Sequence, residues 1–369
     1  MAELLPERAL EVEQVLATRR GADGGAEFLI KWEVLPWSES SWECEAALPP
    51  CAAQLAAFDT AQRAPCVPPS AAVAAIRPPR YEHLEESPTY GPNQDRKLRS
   101  YQLEGVNWMV DCWHKRRNVL LADEMGLGKT AQCVATLSHI HDLGPAGPFL
   151  IVAPLSTINH WARELRAWSS LRTVVLHGSA ADRALILKRL WHAAPGPRGG
   201  ERPGYFFHVV VTTYETLLLE ERVLRAVPWQ YLIVDEAHRL KNVESRLRVA
   251  VQGLGAQQMA LLTGTPVQNS TAELFSLLNL LDPARFGDAE DFEERYGRVT
   301  GAEQVAELQG LLKPLMLRRL KGDVISADEI PAKEETIVWV ELTSQQKRQY
   351  RALLDRNGAL LASLSGGGS

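Results

Sequence analysis

The chain has 369 residues, 46% of them hydrophobic, enough material for more than one globular core. Its net charge is -5, which excludes the broad basic surface of a protein that coats itself with nucleic acid, so any DNA contact has to come from local groups and backbone amides. The five cysteines (Cys44, Cys51, Cys66, Cys112, Cys133) carry no metal-type pairing and read as reduced thiols, no apolar run follows Met1, and no stretch is long enough to span a bilayer, so neither secretion nor a membrane partner is expected.

Residues 9–48 alternate apolar and polar side chains. Val12 and Val15 form one run, and Phe28, Ile30 and Trp32 another, with Gly21-Ala22-Asp23-Gly24-Gly25 between them, which is a hairpin signal. Residues 49–95 are rich in Ala and Pro and predict a linker with one short helix around Ala52–Phe58. From Leu98 onward helix and strand alternate. Buried strands are predicted at Val119–Ala122, Phe149–Ala153, Val174–Leu176, His208–Val211, Tyr231–Val234 and Met259–Leu262. That alternation indicates an α/β fold with a parallel, doubly wound sheet. Ala193–Gly204 reads as a surface loop, Thr336–Val340 as a strand, Ser344–Leu354 as a polar helix, and Gly366-Gly367-Gly368-Ser369 as a disordered tail.

The strand Val119–Ala122 runs into Asp123-Glu124-Met125-Gly126-Leu127-Gly128-Lys129-Thr130, and a helix follows from Ala131. The glycines let the backbone amides turn toward a phosphate, and the helix N-terminus adds partial positive charge. Lys129 would reach the β- and γ-phosphates, and the Thr130 hydroxyl would sit on Mg²⁺. The strict motif has a further Gly where this chain has Asp123, and Gly-Lys-Thr alone occurs often by chance, but strand before and helix after favour a nucleotide site. A second strand ends in Asp235-Glu236-Ala237-His238. At the carboxyl edge of an open sheet, Asp235 would hold Mg²⁺ and Glu236 would orient the attacking water. By itself the pair also fits an ordinary exposed strand end, and His238 a solvated turn. The next strand ends in Leu261-Leu262-Thr263-Gly264-Thr265-Pro266-Val267-Gln268-Asn269, small enough to approach that acidic turn closely.

Together these three blocks resemble the switch/sucrose-non-fermentable class of superfamily-two translocases. Further blocks extend the resemblance over residues 96–354. Leu98-Arg99-Ser100-Tyr101-Gln102-Leu103-Glu104-Gly105 lies where that class reads adenine, here through Gln102. Ala153-Pro154-Leu155-Ser156-Thr157, with Asn159-His160-Trp161, and Thr212-Thr213-Tyr214-Glu215 match its two segments that meet the DNA backbone. Leu274–Pro283 and Leu315-Met316-Leu317-Arg318-Arg319-Leu320 match the close of its first lobe. The resemblance implies a recombinase-like P-loop lobe using ATP and Mg²⁺. Residues 123–130 with Gln102 would bind nucleotide. Lys129, Asp235 and Glu236 would be catalytic, and His238, Thr263, Gly264 and Thr265 would couple the strands. Pro154, Ser156, Thr157, Thr212 and Thr213 would meet phosphates without reading sequence. Taken singly, each Ser or Thr fits a turn or cap equally well, and Arg239 and Lys241 fit either DNA contact or a solvated surface.

The N-terminal blocks Val12-Glu13-Gln14-Val15-Leu16, Glu27–Trp32 and Leu35–Glu43 resemble a chromodomain, and with the motor blocks behind them the chain is similar to the chromodomain-helicase-DNA-binding group of remodellers. The expected layout is a chromodomain-like module over 9–60 with a C-terminal helix, a linker over 61–95, the ATP-binding lobe over 96–320, and a brace over 321–369. Trp32 matches one position of a methyl-lysine cage. Leu10 and Leu35 stand where known readers carry aromatics, and Trp37 is the candidate substitute. The other reading is that Trp32, Trp37 and Trp42 fill the core of a small domain. The resemblance also implies duplex DNA, nucleosomes and histone tails as partners, a nuclear location, and a second lobe that donates transition-state arginines and is absent after Leu354. A truncated chain that hydrolyses ATP weakly is therefore expected. The rivals are a non-enzymatic chromatin-binding module with a nucleotide switch, and a kinase or GTPase, against which the two DNA segments argue.

Overall fold

The computed structural model describes residues 11–21, 24–63, 81–144, 147–191, 204–242, 245–264, 271–297, 301–325, 336 and 338–354. Residues 1–324 form one compact unit and 325–369 a second.

At the start of the first unit, β1 (Val12–Arg20), β2 (Ala26–Trp32) and β3 (Ser41–Cys44) pair antiparallel in the order β1-β2-β3. The helix Ala52–Arg63 closes one face by packing Leu55 and Phe58 against Val12, Val15 and Ile30. The opposite face is anchored to the rest of the unit. Leu16 and Leu29 belong to the same buried cluster as Leu120 and Leu150, with Trp37 and Trp42 packed against it. The Ser38 amide donates to Asp182 Oδ1 at 2.7 Å. Asp182 also caps the helix Ala180–Leu190 with Ser179. Burial alone would raise the Asp182 carboxyl, but hydrogen bonds from Ser179 and Ser38 outweigh it and hold it below the usual carboxylate range.

The lobe is built on a seven-stranded sheet. Its strands are β4 (Val119–Leu121), β5 (Phe149–Ala153), β6 (Thr173–Leu176), β7 (Val209–Thr213), β8 (Tyr231–Val234), β9 (Met259–Leu262) and β10 (Met316–Leu317). The order is β10-β4-β9-β8-β5-β7-β6 and every pairing is parallel. Helices cover both faces, so strands read as unbroken apolar runs. In β5, Leu150 and Val152 enter one core, and Phe149, Ile151 and Ala153 the other. Six strands stand where the apolar runs predict them. The seventh, β10, is two residues long and too short to carry a periodicity. A smaller cluster around Phe275, Phe286 and Phe292 gathers the helices Thr271–Leu281, Ala289–Tyr296 and Ala302–Leu312.

Two expectations change. Of the expected linker, residues 64–80 lie outside the described residues, but 81–95 dock onto the lobe. The Tyr81 hydroxyl and the Leu84 amide both donate to Asn107 Oδ1 (2.8 and 2.9 Å), and Tyr90 and Leu98 pack with Val106 and Val110. Proline content suggested a linker, but the apolar Tyr81, Leu84 and Tyr90 give the segment a surface to bury. In the second unit the helix Ser344–Leu354 forms as predicted. Thr336 and residues 338–340 carry no strand, and Trp339 is 92% exposed, so this stretch has no sheet partner among the described residues. No described helix is long and apolar enough to cross a membrane.

His208, at the mouth of β7, is buried beside Arg172 and His141. Desolvation first, then those two neighbours, push its pKa down to about 3. Its Nδ1 accepts the Arg172 amide at 3.1 Å, a bond that needs the neutral ring. The unfolded chain takes up this proton below about pH 6.5 and the folded chain only near its depressed value, so the neutral ring costs nothing above 6.5 and stability falls as pH drops below it. We expect Tm to fall between pH 7 and 5, and His208→Gln to flatten that slope. An unchanged slope in the variant would assign the acid sensitivity elsewhere.

Candidate functional site

β4 delivers the chain into the loop 122–128. Asp123 at its start is fully buried and its carboxylate is spoken for. Arg319 clamps it through Nε to Oδ1 at 3.0 Å and Nη2 to Oδ2 at 2.5 Å, and Gln132 Nε2 donates to Oδ2 at 3.1 Å. Arg319 also donates to the Tyr101 carbonyl and to Gln132 Oε1. The Asp123 side chain therefore holds the loop from beneath. The Leu127 side chain is likewise fully buried, and its carbonyl accepts from Gln102 and Gln132. Glu124 accepts the Lys321 amide at 2.7 Å, and Met125 is exposed.

Gly126 and Gly128 adopt φ of +88° and +79°. These left-handed turns aim successive amides into one concavity, which favours an anion. A Cβ on Gly128 would lie 2.4 Å from Gln102 Nε2, so the loop closes directly on that glutamine. Gln102 is half-buried, and its Oε1 accepts the Arg99 amide at 2.9 Å. Gly128 caps the helix Lys129–Asp142, with Thr130 half-buried in its first turn. Lys129 Nζ folds back onto the Asp123 carbonyl at 2.8 Å. Burial lowers its pKa, while Glu236, Asp123 and Asp235 act in the opposite sense. The loop lysine and the acidic turn are thus electrostatic neighbours.

That turn follows β8. Asp235 Oδ2 accepts the Trp161 indole N–H at 2.8 Å and the Thr157 hydroxyl at 3.4 Å, and Oδ1 accepts the Glu236 amide at 3.0 Å. Glu236 sits at φ +53°, and its carboxylate lies 3.2 Å from the exposed His238 ring. The Tyr214 hydroxyl donates to the Asp235 carbonyl, and burial, reinforced by Asp235, pushes its pKa up so that it stays protonated. β9 lies between β4 and β8, so its end falls between loop and acidic turn. Thr263 is fully buried, its amide donating to the Leu121 carbonyl at 3.2 Å. A Cβ on Gly264 would lie 2.9 Å from Met125 Cγ and 3.8 Å from Lys129 Nζ. Thr265 lies outside the described residues.

The expected DNA segments divide. Pro154 caps the helix Leu155–Trp168, the Thr157 amide donates to the Pro154 carbonyl at 3.0 Å, and Leu155 and Ser156 are exposed, so their amides stand at an accessible helix N-terminus. Thr157 turns inward, to the Pro154 carbonyl at 3.1 Å as well as to Asp235. Thr212 and Thr213 face inward. β7 runs through both, burying them between β5 and β6. Thr212 Oγ1 donates to the Leu176 carbonyl at 2.9 Å, and Thr213 caps the helix Tyr214–Leu219. Neither hydroxyl is presented to a phosphate. Arg239 pairs with Glu215 and Lys241 with Glu273, both on the surface, where such pairs contribute little.

Both tryptophans named for a cage are engaged within the chain. Trp32 is half-buried, with its indole N–H on Ser41 Oγ at 3.0 Å and its ring in the module core. Trp37 packs on the lobe, and the chain's own Lys31 ammonium stands 5.6 Å from its ring centroid. That ammonium is held by Glu13 at 2.7 Å. Leu10 lies outside the described residues.

A parallel sheet, a glycine-turned loop closing a helix N-terminus, and a carboxylate pair two strands away define a P-loop nucleoside-triphosphatase lobe. The chain belongs to the SNF2-related domain family, which matches residues 101–368. The chromo (chromatin organisation modifier) domain matches residues 10–61. The chain is 43% identical over 358 residues to chromodomain-helicase-DNA-binding protein 6 of Rattus norvegicus, covering 95% of this chain and 13% of that protein. It is 42% identical over 365 residues to chromodomain-helicase-DNA-binding protein 7 of Gallus gallus, covering 97% of this chain and 12% of that protein. It therefore spans 12–13% of the length of these curated relatives. Among solved structures it resembles the Sulfolobus solfataricus SWI2/SNF2 ATPase core in complex with double-stranded DNA, with TM-score 0.55, 27% identity, and 77% of this chain and 59% of that one covered.

The residues that sequence reading missed as site supports are Trp161, Tyr214, Gln132 and Arg319. Three are buried polar-tipped side chains and the fourth lies far from the loop in sequence. In one sequence such residues look like ordinary core or surface positions.

Proposed function

We propose that this chain is the nucleotide-binding lobe of a nuclear, ATP-driven DNA translocase acting on nucleosomes. The observation that carries this reading is the placement of Lys129 beside Asp235 and Glu236, at the adjacent ends of β4, β9 and β8. The donor set fits a magnesium–triphosphate: loop amides and an ammonium for phosphate oxygens, a hydroxyl and a carboxylate for the metal. When bound, Mg²⁺ neutralises charge on the β- and γ-phosphates. Lys129 would hold those phosphates, Thr130 and Asp235 would hold the metal, and Gln102, flanking the loop, would read adenine. Glu236 would orient the attacking water and receive its proton. Gly264 and Thr263 would relay changes between loop and acidic turn. The accessible amides of Leu155 and Ser156 would grip the DNA backbone without reading sequence. Arg319 is committed to Asp123, so the transition-state arginines would come from a second lobe. Histone tails are a further proposed partner, met through chromodomain surface other than Trp37.

The test is binding of a fluorescent ATP analogue and ATP hydrolysis, each with and without nucleosomes, beside Lys129→Ala. The variant is expected to bind nucleotide about 10- to 100-fold more weakly, the worth of a charge-assisted hydrogen bond. Turnover stimulated by nucleosomes and abolished in the variant supports an active motor. Binding without turnover supports a lobe that borrows its arginines. Unchanged nucleotide affinity in the variant overturns the reading.

A further inference from the structure

Two helices start at the segments matched to DNA contact, and both are tied to Asp235. The helix Leu155–Trp168 carries Thr157 and Trp161 one turn apart. Both donate to the same carboxylate oxygen, Oδ2, from 3.4 and 2.8 Å. The single Thr157 proton is shared with the Pro154 carbonyl at 3.1 Å, so the Trp161 N–H is the principal donor that fixes Oδ2. Oδ1 accepts one bond, from the Glu236 amide at 3.0 Å, and keeps a site for a ligand. The helix Tyr214–Leu219 begins with Tyr214, whose hydroxyl donates to the Asp235 carbonyl and, at 3.4 Å, to that of Glu236. Trp161 is fully buried and Tyr214 is 2% exposed, so neither tip exchanges its partner for bulk solvent at low cost.

We propose that Trp161 and Tyr214 are positioning residues of the nucleotide site. Trp161, with Thr157, fixes the Asp235 carboxylate so that Oδ1 is its metal-facing oxygen, and Tyr214 fixes the main chain beneath it. The helix Leu155–Trp168 therefore reports the position of its N-terminal segment to the carboxylate, and DNA bound there changes the grip on magnesium–nucleotide. The inference rests on the reading that Asp235 serves the metal. It adds which oxygen does so, and what orients it.

The experiment measures binding of a fluorescent ATP analogue to the whole chain as Mg²⁺ is varied, and again in EDTA. Trp161→Phe keeps an aromatic ring and removes the N–H. It is expected to raise the Mg²⁺ concentration for half-maximal binding about 10-fold or more, the usual cost of losing a partner behind a metal ligand, with EDTA affinity unchanged. An unchanged Mg²⁺ dependence overturns the proposal, and so does equal weakening with and without Mg²⁺, the mark of a merely structural role. Should Trp161→Phe fail to fold, Thr157→Val must shift the Mg²⁺ dependence in the same direction, and no shift overturns the proposal. Asp235→Asn separates the two layers: if it leaves the Mg²⁺ dependence intact, the metal assignment itself falls. Duplex DNA is then added at saturating Mg²⁺. It should tighten nucleotide binding in the wild type by a factor that shrinks in Trp161→Phe. Equal factors, or a wild-type factor of one, overturn the coupling.

Discussion

Arg319→Ala is expected to destabilise the lobe by about 3–5 kcal/mol, the cost of leaving one partner of a buried ion pair uncompensated. The Asp123 carboxylate is fully buried, and the Arg319 side chain is 10% exposed. Two of the guanidinium nitrogens bind the carboxylate in the bidentate fork that lysine cannot reproduce. Without Arg319, Asp123 retains the Gln132 amide as its one side-chain partner among the described residues. The Tyr101 carbonyl also loses a donor, so the helix carrying Gln102 loosens from the loop. Arg319→Lys should recover only part of the loss. Removing both charges, as Asp123→Asn with Arg319→Met, should be far milder than Arg319→Ala alone, because no charge is then stranded. Urea denaturation decides it. A midpoint for Arg319→Ala within about 1 kcal/mol of wild type at equal slope would mean that the pair is dispensable.

Glu236→Gln is expected to lower nucleosome-stimulated ATP turnover by about 10²–10⁴-fold, the range for a lost general base, with magnesium–nucleotide affinity little changed. The substitution keeps the volume and the hydrogen-bonding reach of the side chain and removes its capacity to take a proton. It also removes the charge facing His238, an exposed contact whose loss costs little. Rates and affinities would be measured side by side on variant and wild type. Equal rates would remove Glu236 from the chemistry, and a parallel collapse of affinity would make it a binding group instead.

Much of this lobe is legible from local pattern, because a sheet buried on both faces writes each strand as an apolar run and each functional loop as its end. Val119–Leu121, Tyr231–Val234 and Met259–Leu262 were readable on that ground, and the loop and acidic turn with them. What local pattern cannot convey is where a polar side chain points. Thr212 and Thr213 belong to a segment matched to DNA contact, yet the strand extends through them and folds their hydroxyls inward. Asp123 occupies a loop position, yet its partner lies 196 residues away in sequence. Trp37 suits an aromatic cage by composition, and only the tertiary fold brings it to Lys31 and to the lobe. At Thr336 and 338–340 the apolar run predicts a strand, but no strand stands beside them among the described residues.

The shared core of the chromodomain-like module and the lobe has a thermodynamic consequence. Leu16 and Leu29 give up solvent against the same cluster as the strands beneath the glycine loop, and Ser38 is tied to the cap of a lobe helix. The two bodies are therefore linked in one cooperative folding unit. A ligand that binds only the folded lobe adds the same stabilising increment to the module, by mass action alone. Nucleotide occupancy would thus lower how often module and lobe unfold together, and a destabilising lesion in the module would weaken apparent nucleotide binding with no residue of the loop disturbed.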